Sequence, residues 1–239
     1  MAFFTEEAVK ANLRVRDGKR VFYMAEGDRM TPSARSWLRL EGVEILPAEQ
    51  AKPSEYKTLW GAVLQEKPEY MTHLQENILV EKDHPRIRFR GMVDSLEAEI
   101  LWGIHTAKSE AETETESALR EVLSVVRTLI PCDVMGKEAS PIRLGGLSEE
   151  ELRKHSHFPQ KYYAQPHFMP TGDEGATLLA LNKIRTVVRQ TETMAFRAFY
   201  GEHTAGREDI LKTLNRLSSY IWILMIRLKA KEAGHGREG

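Results

Sequence analysis

The chain has 239 residues, with 34 Lys and Arg against 35 Asp and Glu for a net charge of −1. That length holds one large domain, or a bundle-sized domain with a small one beside it, and the near-neutral balance argues against a nucleic-acid partner, which needs a clustered basic surface. A single cysteine, Cys132, excludes internal disulfides and any multi-cysteine metal site, and fits a reducing cytoplasm.

Residues 5–13 are expected to form a short helix, with Thr5 as its N-cap and Glu6 and Glu7 in the first turn. The opening MAFFTEEAVKAN turns acidic at once, unlike a signal peptide. Asp17-Gly18 marks a turn and residues 20–24 read as a strand. Thr31-Pro32-Ser33 starts a helix over residues 34–40, Gly42 ends it, and residues 43–46 make a second strand. The helix start after Thr31 is either an ordinary cap or a phosphate site built on free N–H groups. Residues 1–50 therefore read as a small α+β extension. Pro47, Pro53 and Pro68, set among many charges, make residues 51–70 a linker around a short apolar piece.

From residue 71 to 232 the pattern is helical. Pro85 starts a helix in which Ile87, Met92, Leu96, Ile100 and Leu101 form a rough apolar stripe. Asp94 lies mid-helix near that stripe, where an unpaired carboxylate is costly. Residues 108–130 continue as a long helix, polar through SEAETETES and then apolar, with Pro131 ending it. Ser148 caps a further helix up to His155, with three glutamates in its first turn. His155 and His157 would point about 160° apart on a helix, so no metal site is expected there.

Two long runs follow, 177–203 and 208–231, each with an apolar stripe, and Gly201, Gly234 and Gly236 fit helix stops. Residues 233–239 are a tail. The longest apolar run, residues 220–226, is far below the roughly 18 residues that span a bilayer, so no membrane partner is expected. At about 100° per residue Arg185, Arg189 and Glu192 fall at roughly 0°, 40° and −20°, on one face. The plain reading is a solvated face with a weak Arg189–Glu192 pair. Arg185, however, adjoins Ile184 and Val188, and a half-buried Arg seeks a carboxylate or phosphate in fork geometry. The last run sets Asn215 and Arg216 in an otherwise apolar stripe. Arg, Arg, Glu and Asn on neighbouring helices would make an anion or nucleotide site.

RTVVRQTE (residues 185–192) followed by LNRLSSY (214–220) resembles the paired signature RTxxRRxER and LNRLSD of the ATP:cob(I)alamin adenosyltransferases, the corrinoid enzymes of ethanolamine and propanediol utilisation. Gln190, Thr193 and Ser219 depart from the pattern and leave the Arg, Arg, Glu, Asn set whole. In THLQENILVEKDHPRIRFRGMVDSLEAEILWG (72–103), Lys82, Gly91 and Asp94 fall in register with the family's phosphate-contacting lysine, a glycine, and the aspartate that pairs with the first Arg of the signature. DRMTPSARSWL (28–38) and SHFPQKYY (156–163) resemble segments of the ethanolamine branch. The Cys-Cys-x-x-Cys metal cluster that often accompanies them is not here. FMPTGDEG (168–175) resembles the family turn whose Phe lies against the corrin, which makes Phe168 the candidate. Asn182 stands where the family often has His. The family's phosphate loop TGDKGT is missing, so some other segment would have to cradle the triphosphate, with residues 31–35 the candidate.

The resemblance covers residues 71–232 and implies an all-α antiparallel bundle of about five helices behind the extension, assembled as a homotrimer with nucleotide between subunits. It implies transfer of the 5′-deoxyadenosyl group of ATP to the cobalt of cob(I)alamin, making adenosylcobalamin and releasing triphosphate. Lys82, Arg189 and Arg185 would hold phosphate charge with Mg2+ as counterion. Glu192 and Asn215 would fix the adenosine end or the phosphates, Asp94 and Arg185 would align two helices or two subunits, and Phe168 and Asn182 would face the cofactor. The implied partners are a corrinoid reductase or a B12-dependent enzyme, in the cytoplasm or at a bacterial microcompartment. Two rival readings are a corrinoid-binding carrier and a non-catalytic scaffold of such a compartment.

Overall fold

The computed structural model describes residues 2–16, 19–50, 56–64, 66–200 and 206–235. The expected turn at Asp17-Gly18 and the stops at Gly201 and Gly236 lie outside them. The chain divides into two compact units, Met1–Glu81 and Lys82–Gly239.

In the first unit, β1 (Phe3–Phe4), α1 (Glu6–Ala11), β2 (Arg14–Arg16), β3 (Lys19–Met24), β4 (Arg29–Met30), α2 (Pro32–Leu40) and β5 (Glu44–Pro47) follow in order. Thr5 and Thr31 cap the two helices, each side chain accepting from a backbone N–H three residues on, at 3.2 Å. The β3–α2–β5 segment is a crossover with parallel strands, Val21 opposite Glu44, and β2 adds antiparallel to β3. Val9, Phe22, Ala34, Leu38 and Val43 form its core.

Beyond residue 50 the structure corrects the expectation. A linker over 51–70 and a helical bundle starting at 71 are replaced by β6 (Tyr56–Thr58), β7 (Val63–Leu64), β8 (Met71–Gln75) and β9 (Ile78–Glu81), which form one sheet in the order β7-β6-β9-β8. The α+β part thus runs to Glu81. ILVE at 78–81 is too short an apolar run for periodicity to separate strand from helix, and its pairing with β6 is non-local.

The second unit opens with α3 (Pro85–Ser109), then α4 (Thr113–Met135), the hairpin β10 (Arg143–Leu144) and β11 (Leu147–Ser148), α5 (Glu149–His157), α6 (Pro159–Tyr163), α7 (Ala176–Phe199) and α8 (Glu208–His235). Eight helices and eleven strands stand among the described residues, so the chain is not all-α, and the bundle has four long helices and two short ones rather than five. Phe158 leaves helical dihedrals, at φ −125° and ψ 54°, and Pro159 then begins α6 as a separate turn. Helix α8 continues through Gly234, which was expected to stop it.

Neighbouring long helices run antiparallel. Thr191 Oγ1 donates to the Met92 carbonyl at 3.4 Å, and Lys183 meets Glu99 at 2.8 Å, so α7 descends as α3 ascends. A Cβ on Gly103 would lie 2.5 Å from Ile184 Cδ1, so the bare glycine permits that close approach of α3 to α7. Leu96, Ile100, Leu119, Val126, Leu181, Val188, Leu214 and Ile221 fill the shared core, each burial stabilising by about 1.5–3 kcal/mol. Ser148 and Glu151 form a full capping box on α5.

Pro131 does not end α4, which runs to Met135 and stops at Gly136 with φ 64°. Proline inside a helix forfeits one hydrogen bond, and a buried ion cluster holds the remaining turn. Arg86 Nε donates to Asp133 Oδ1 at 2.9 Å and Arg90 Nε to Oδ2 at 2.7 Å.

Next to that cluster, Arg207 forks onto Asp209 with contacts of 2.9 and 2.7 Å, and the Ala139 N–H adds a third at 2.7 Å. Burial works against the Asp209 carboxylate, yet these donors prevail and pull its pKa from 3.8 to about 2. A carboxyl with a depressed folded pKa stabilises fully above its unfolded value and loses that contribution as pH falls through the folded one. Asp209 should therefore contribute about 1–2 kcal/mol above pH 4, lost between about pH 4 and 2. Asp209→Asn should flatten that part of the stability–pH curve in urea unfolding. An unchanged curve would contradict the assignment.

Candidate active site

The signature residues lie on the facing sides of α7 and α8. Gly175 supplies no side chain to cap α7, so Glu110 does it from outside the helix, accepting from Ala176 N–H at 3.0 Å and Thr177 N–H at 2.8 Å. This anchors the amino end of the helix that carries the arginines.

Arg185 is half-buried, its guanidinium 4.9 Å from the centre of the Trp222 ring on α8. Its Nε is fully covered and has no hydrogen-bond partner. Burial, and then the nearby charge of Arg189, push the pKa of Arg185 down from its ordinary value. Arg189 is exposed one turn further on. Among the described residues neither arginine is ion-paired. Two turns on from Arg185, Glu192 accepts from Asn215 Nδ2 at 3.0 Å, which links α7 to α8. The Asn215 carbonyl accepts from Ser219 Oγ at 3.2 Å. Arg216 is half-buried beside this pair, and burial followed by the Arg153 charge lowers its pKa too.

Phe168, in the segment between α6 and α7, stacks on Trp222 with ring centres 5.3 Å apart at 23°. The Lys229 ammonium stands 5.9 Å over the Phe168 ring and 3.8 Å from the Glu174 carboxylate. That carboxylate holds the loop by accepting from Thr171 N–H and Gly172 N–H, each at 3.0 Å. Asn182 is half-buried one turn before Arg185 on α7.

Asp94 is exposed on α3 and makes no ion pair with Arg185 within the chain. The Met92–Thr191 and Glu99–Lys183 contacts put Asp94 level with Arg189, about one turn, or roughly 5–6 Å, along the bundle from Arg185. Lys82 is exposed three residues ahead of α3. Residues 31–35, the stand-in for the missing phosphate loop, lie in the first unit, where Thr31 is occupied in capping α2.

The ring cluster of Trp222, His167 and Lys229 was not legible in the motifs, although a signal existed. Asn215, Trp222 and Lys229 are seven residues apart, two helical turns each, and so share one face of α8. His155, weighed for metal, instead stacks on Tyr162 at 3.7 Å and meets the Tyr163 hydroxyl at 2.8 Å. Among the described residues there is no group of three or more His, Cys, Asp or Glu placed to hold a metal ion. None of their helices is long and apolar enough to cross a membrane.

A half-desolvated guanidinium with an orphan donor, a second arginine beside it and a polar Glu–Asn bridge form a surface suited to a polyanion. The adjoining Trp222–Phe168 wall suits a flat apolar body.

Residues 63–228 match the family model described as cobalamin adenosyltransferase. The chain is 30% identical to the corrinoid adenosyltransferase EutT of Escherichia coli, over 96% of this chain and 93% of that protein. It is 29% identical to EutT of Salmonella typhimurium over the same shares. Among solved structures it is similar to a variant PduO-type ATP:corrinoid adenosyltransferase from Lactobacillus reuteri complexed with ATP, at 18% identity and TM-score 0.49, over 68% of this chain and 91% of that one. Another variant of that enzyme, complexed with cobalamin and ATP, is similar at 18% identity and TM-score 0.47, over 64% and 86%.

Proposed function

The chain belongs to the cobalamin adenosyltransferase family, and from that premise we propose that it transfers the 5′-deoxyadenosyl group of ATP to the cobalt of reduced corrinoid. The observation that carries the reading is Arg185, desolvated, short of an acceptor at Nε and set beside Arg189 and an aromatic wall. Such a pair of charges is costly without an anion and favourable with one.

The nucleophile is substrate, not protein. Co(I) attacks the 5′ carbon, a cobalt–carbon bond forms, and the carbon–oxygen bond breaks with its electron pair leaving on triphosphate. The chain needs no covalent catalyst, and its contribution is binding, orientation and stabilisation of the leaving charge. Arg189, Arg185 and Lys82 take the phosphates, while Glu192 and Asn215 hold the adenosine end. Phe168 and Trp222 line the corrin side and exclude water from the cobalt, and Asn182 stands one turn before Arg185 on α7. Mg2+ bound with the nucleotide would supply countercharge to the triphosphate beside Arg185 and Arg189.

Among the described residues no carboxylate pairs with Arg185, and Asp94 lies exposed on α3. Pairing of the two between copies, in a homotrimer with the nucleotide at the subunit boundary, supplies each with its partner. The kinship to EutT supports a role in ethanolamine utilisation, with a corrinoid reductase upstream and a B12-dependent enzyme downstream, in the cytoplasm or at a microcompartment.

Anaerobic incubation with ATP, Mg2+ and chemically reduced cobalamin tests the reading. The visible spectrum should change to that of alkylated cobalt at a rate proportional to enzyme. Corrinoid binding without that change would indicate a carrier, and no binding a scaffold, and either overturns the proposal.

A further inference from the structure

We propose that His167 is a positioning residue for this site, fixing the indole of Trp222 and, through that one ring, both the Arg185 guanidinium and the Phe168 ring. The inference rests on the functional reading above, and it adds a residue that lies in neither signature motif.

The hydrogen-bond roles follow from the chemistry of the two rings. An indole N–H can only donate, so in the 3.3 Å contact between Trp222 Nε1 and His167 Nδ1 the imidazole nitrogen accepts. The hydrogen of the neutral ring then sits on Nε2, which donates to the His157 carbonyl at 3.3 Å. One imidazole is thus tied at both nitrogens, to the last residue of α5 and to α8. The His167 and Trp222 rings lie near parallel, at 11°, with centres 5.8 Å apart.

What hangs on that ring makes the bond consequential. Trp222 carries Arg185 at 4.9 Å and Phe168 at 5.3 Å. The Arg185 Nε has no acceptor among the described residues, so the guanidinium takes its place from the π face rather than from a hydrogen bond at that atom. Phe168 directly follows His167, so the imidazole also tethers the backbone that presents the Phe168 ring. A group on the nucleotide side and a group on the corrin side therefore share one support. His167 itself is exposed, and its replacement removes no core contact.

The test combines a spectroscopic signature with kinetics. The protein has four tryptophans, and the indole N–H resonance that disappears in Trp222→Phe belongs to Trp222. In His167→Ala that resonance should shift, with helical content unchanged. kcat should fall about tenfold, the scale of one lost hydrogen bond in a positioning role, while equilibrium ATP binding changes less than twofold. His167→Asn places an amide oxygen where Nδ1 stood and should restore both the resonance and kcat. His167→Gln reaches the Nε2 place and should restore neither. An unmoved resonance in His167→Ala, an unchanged kcat despite a moved one, or equal rescue by Gln and Asn would overturn the proposal. If the wild-type chain formed no cobalt–carbon bond, the functional reading would fail, while the resonance would still decide whether His167 holds Trp222.

Discussion

Arg189→Ala should lower kcat/KM for ATP by at least about 100-fold, the cost of removing one donor from developing negative charge in a preorganised site. The side chain is exposed on α7, packs against nothing in the core, and lies on the face that also carries Arg185 and Glu192. Its loss should therefore leave helical content and the urea midpoint close to wild type. Arg189→Lys should recover only part of the rate, because an ammonium supplies charge without the planar fork that grips two phosphate oxygens. Steady-state kinetics beside circular dichroism read the outcome, and wild-type-like turnover in the alanine variant would remove Arg189 from the site.

The largest stability effect is expected far from that face. Asp133 is completely buried, while Arg86 and Arg90 keep 19% and 14% of their side chains exposed. Arg86 also donates to the Asp133 carbonyl at 3.0 Å. Asp133→Ala removes the buried carboxylate that Arg86 and Arg90 share at the α3–α4 contact and should cost about 3–5 kcal/mol, a large share of a domain stability on the order of 5–15 kcal/mol. Asp133→Asn keeps the shape and one acceptor oxygen and should cost less. Urea unfolding measures both, and a shift under about 1 kcal/mol for the alanine variant would show that the cluster contributes little.

The cluster also explains part of what local sequence could and could not convey. Thr5, Thr31 and Ser148 were readable as caps because a cap depends on a residue and its neighbour three positions on, and each accepts as that logic requires. Pro131 misled because its helix-breaking tendency is local, whereas the turn beyond it is held by Arg86 and Arg90 from another helix. The strand at 78–81 was hidden because four apolar-rich residues are too few for periodicity to separate strand from helix, although it pairs with the adjacent residues 71–75 as well as with residues 57–58. The adenosyltransferase kinship was legible because it resides in contiguous motifs at fixed spacing, RTVVRQTE and LNRLSSY, whose Glu192 and Asn215 the structure joins. The partnership of His167 and Trp222 spans 55 residues, beyond the reach of any local pattern.

The most direct measurement is a single anaerobic turnover with ATP carrying 13C at the 5′ carbon and reduced corrinoid in slight excess. The label should move onto cobalt, and phosphorus NMR should find one intact triphosphate for each alkylated corrinoid. A label that stays on the nucleotide while ADP and phosphate accumulate would contradict it.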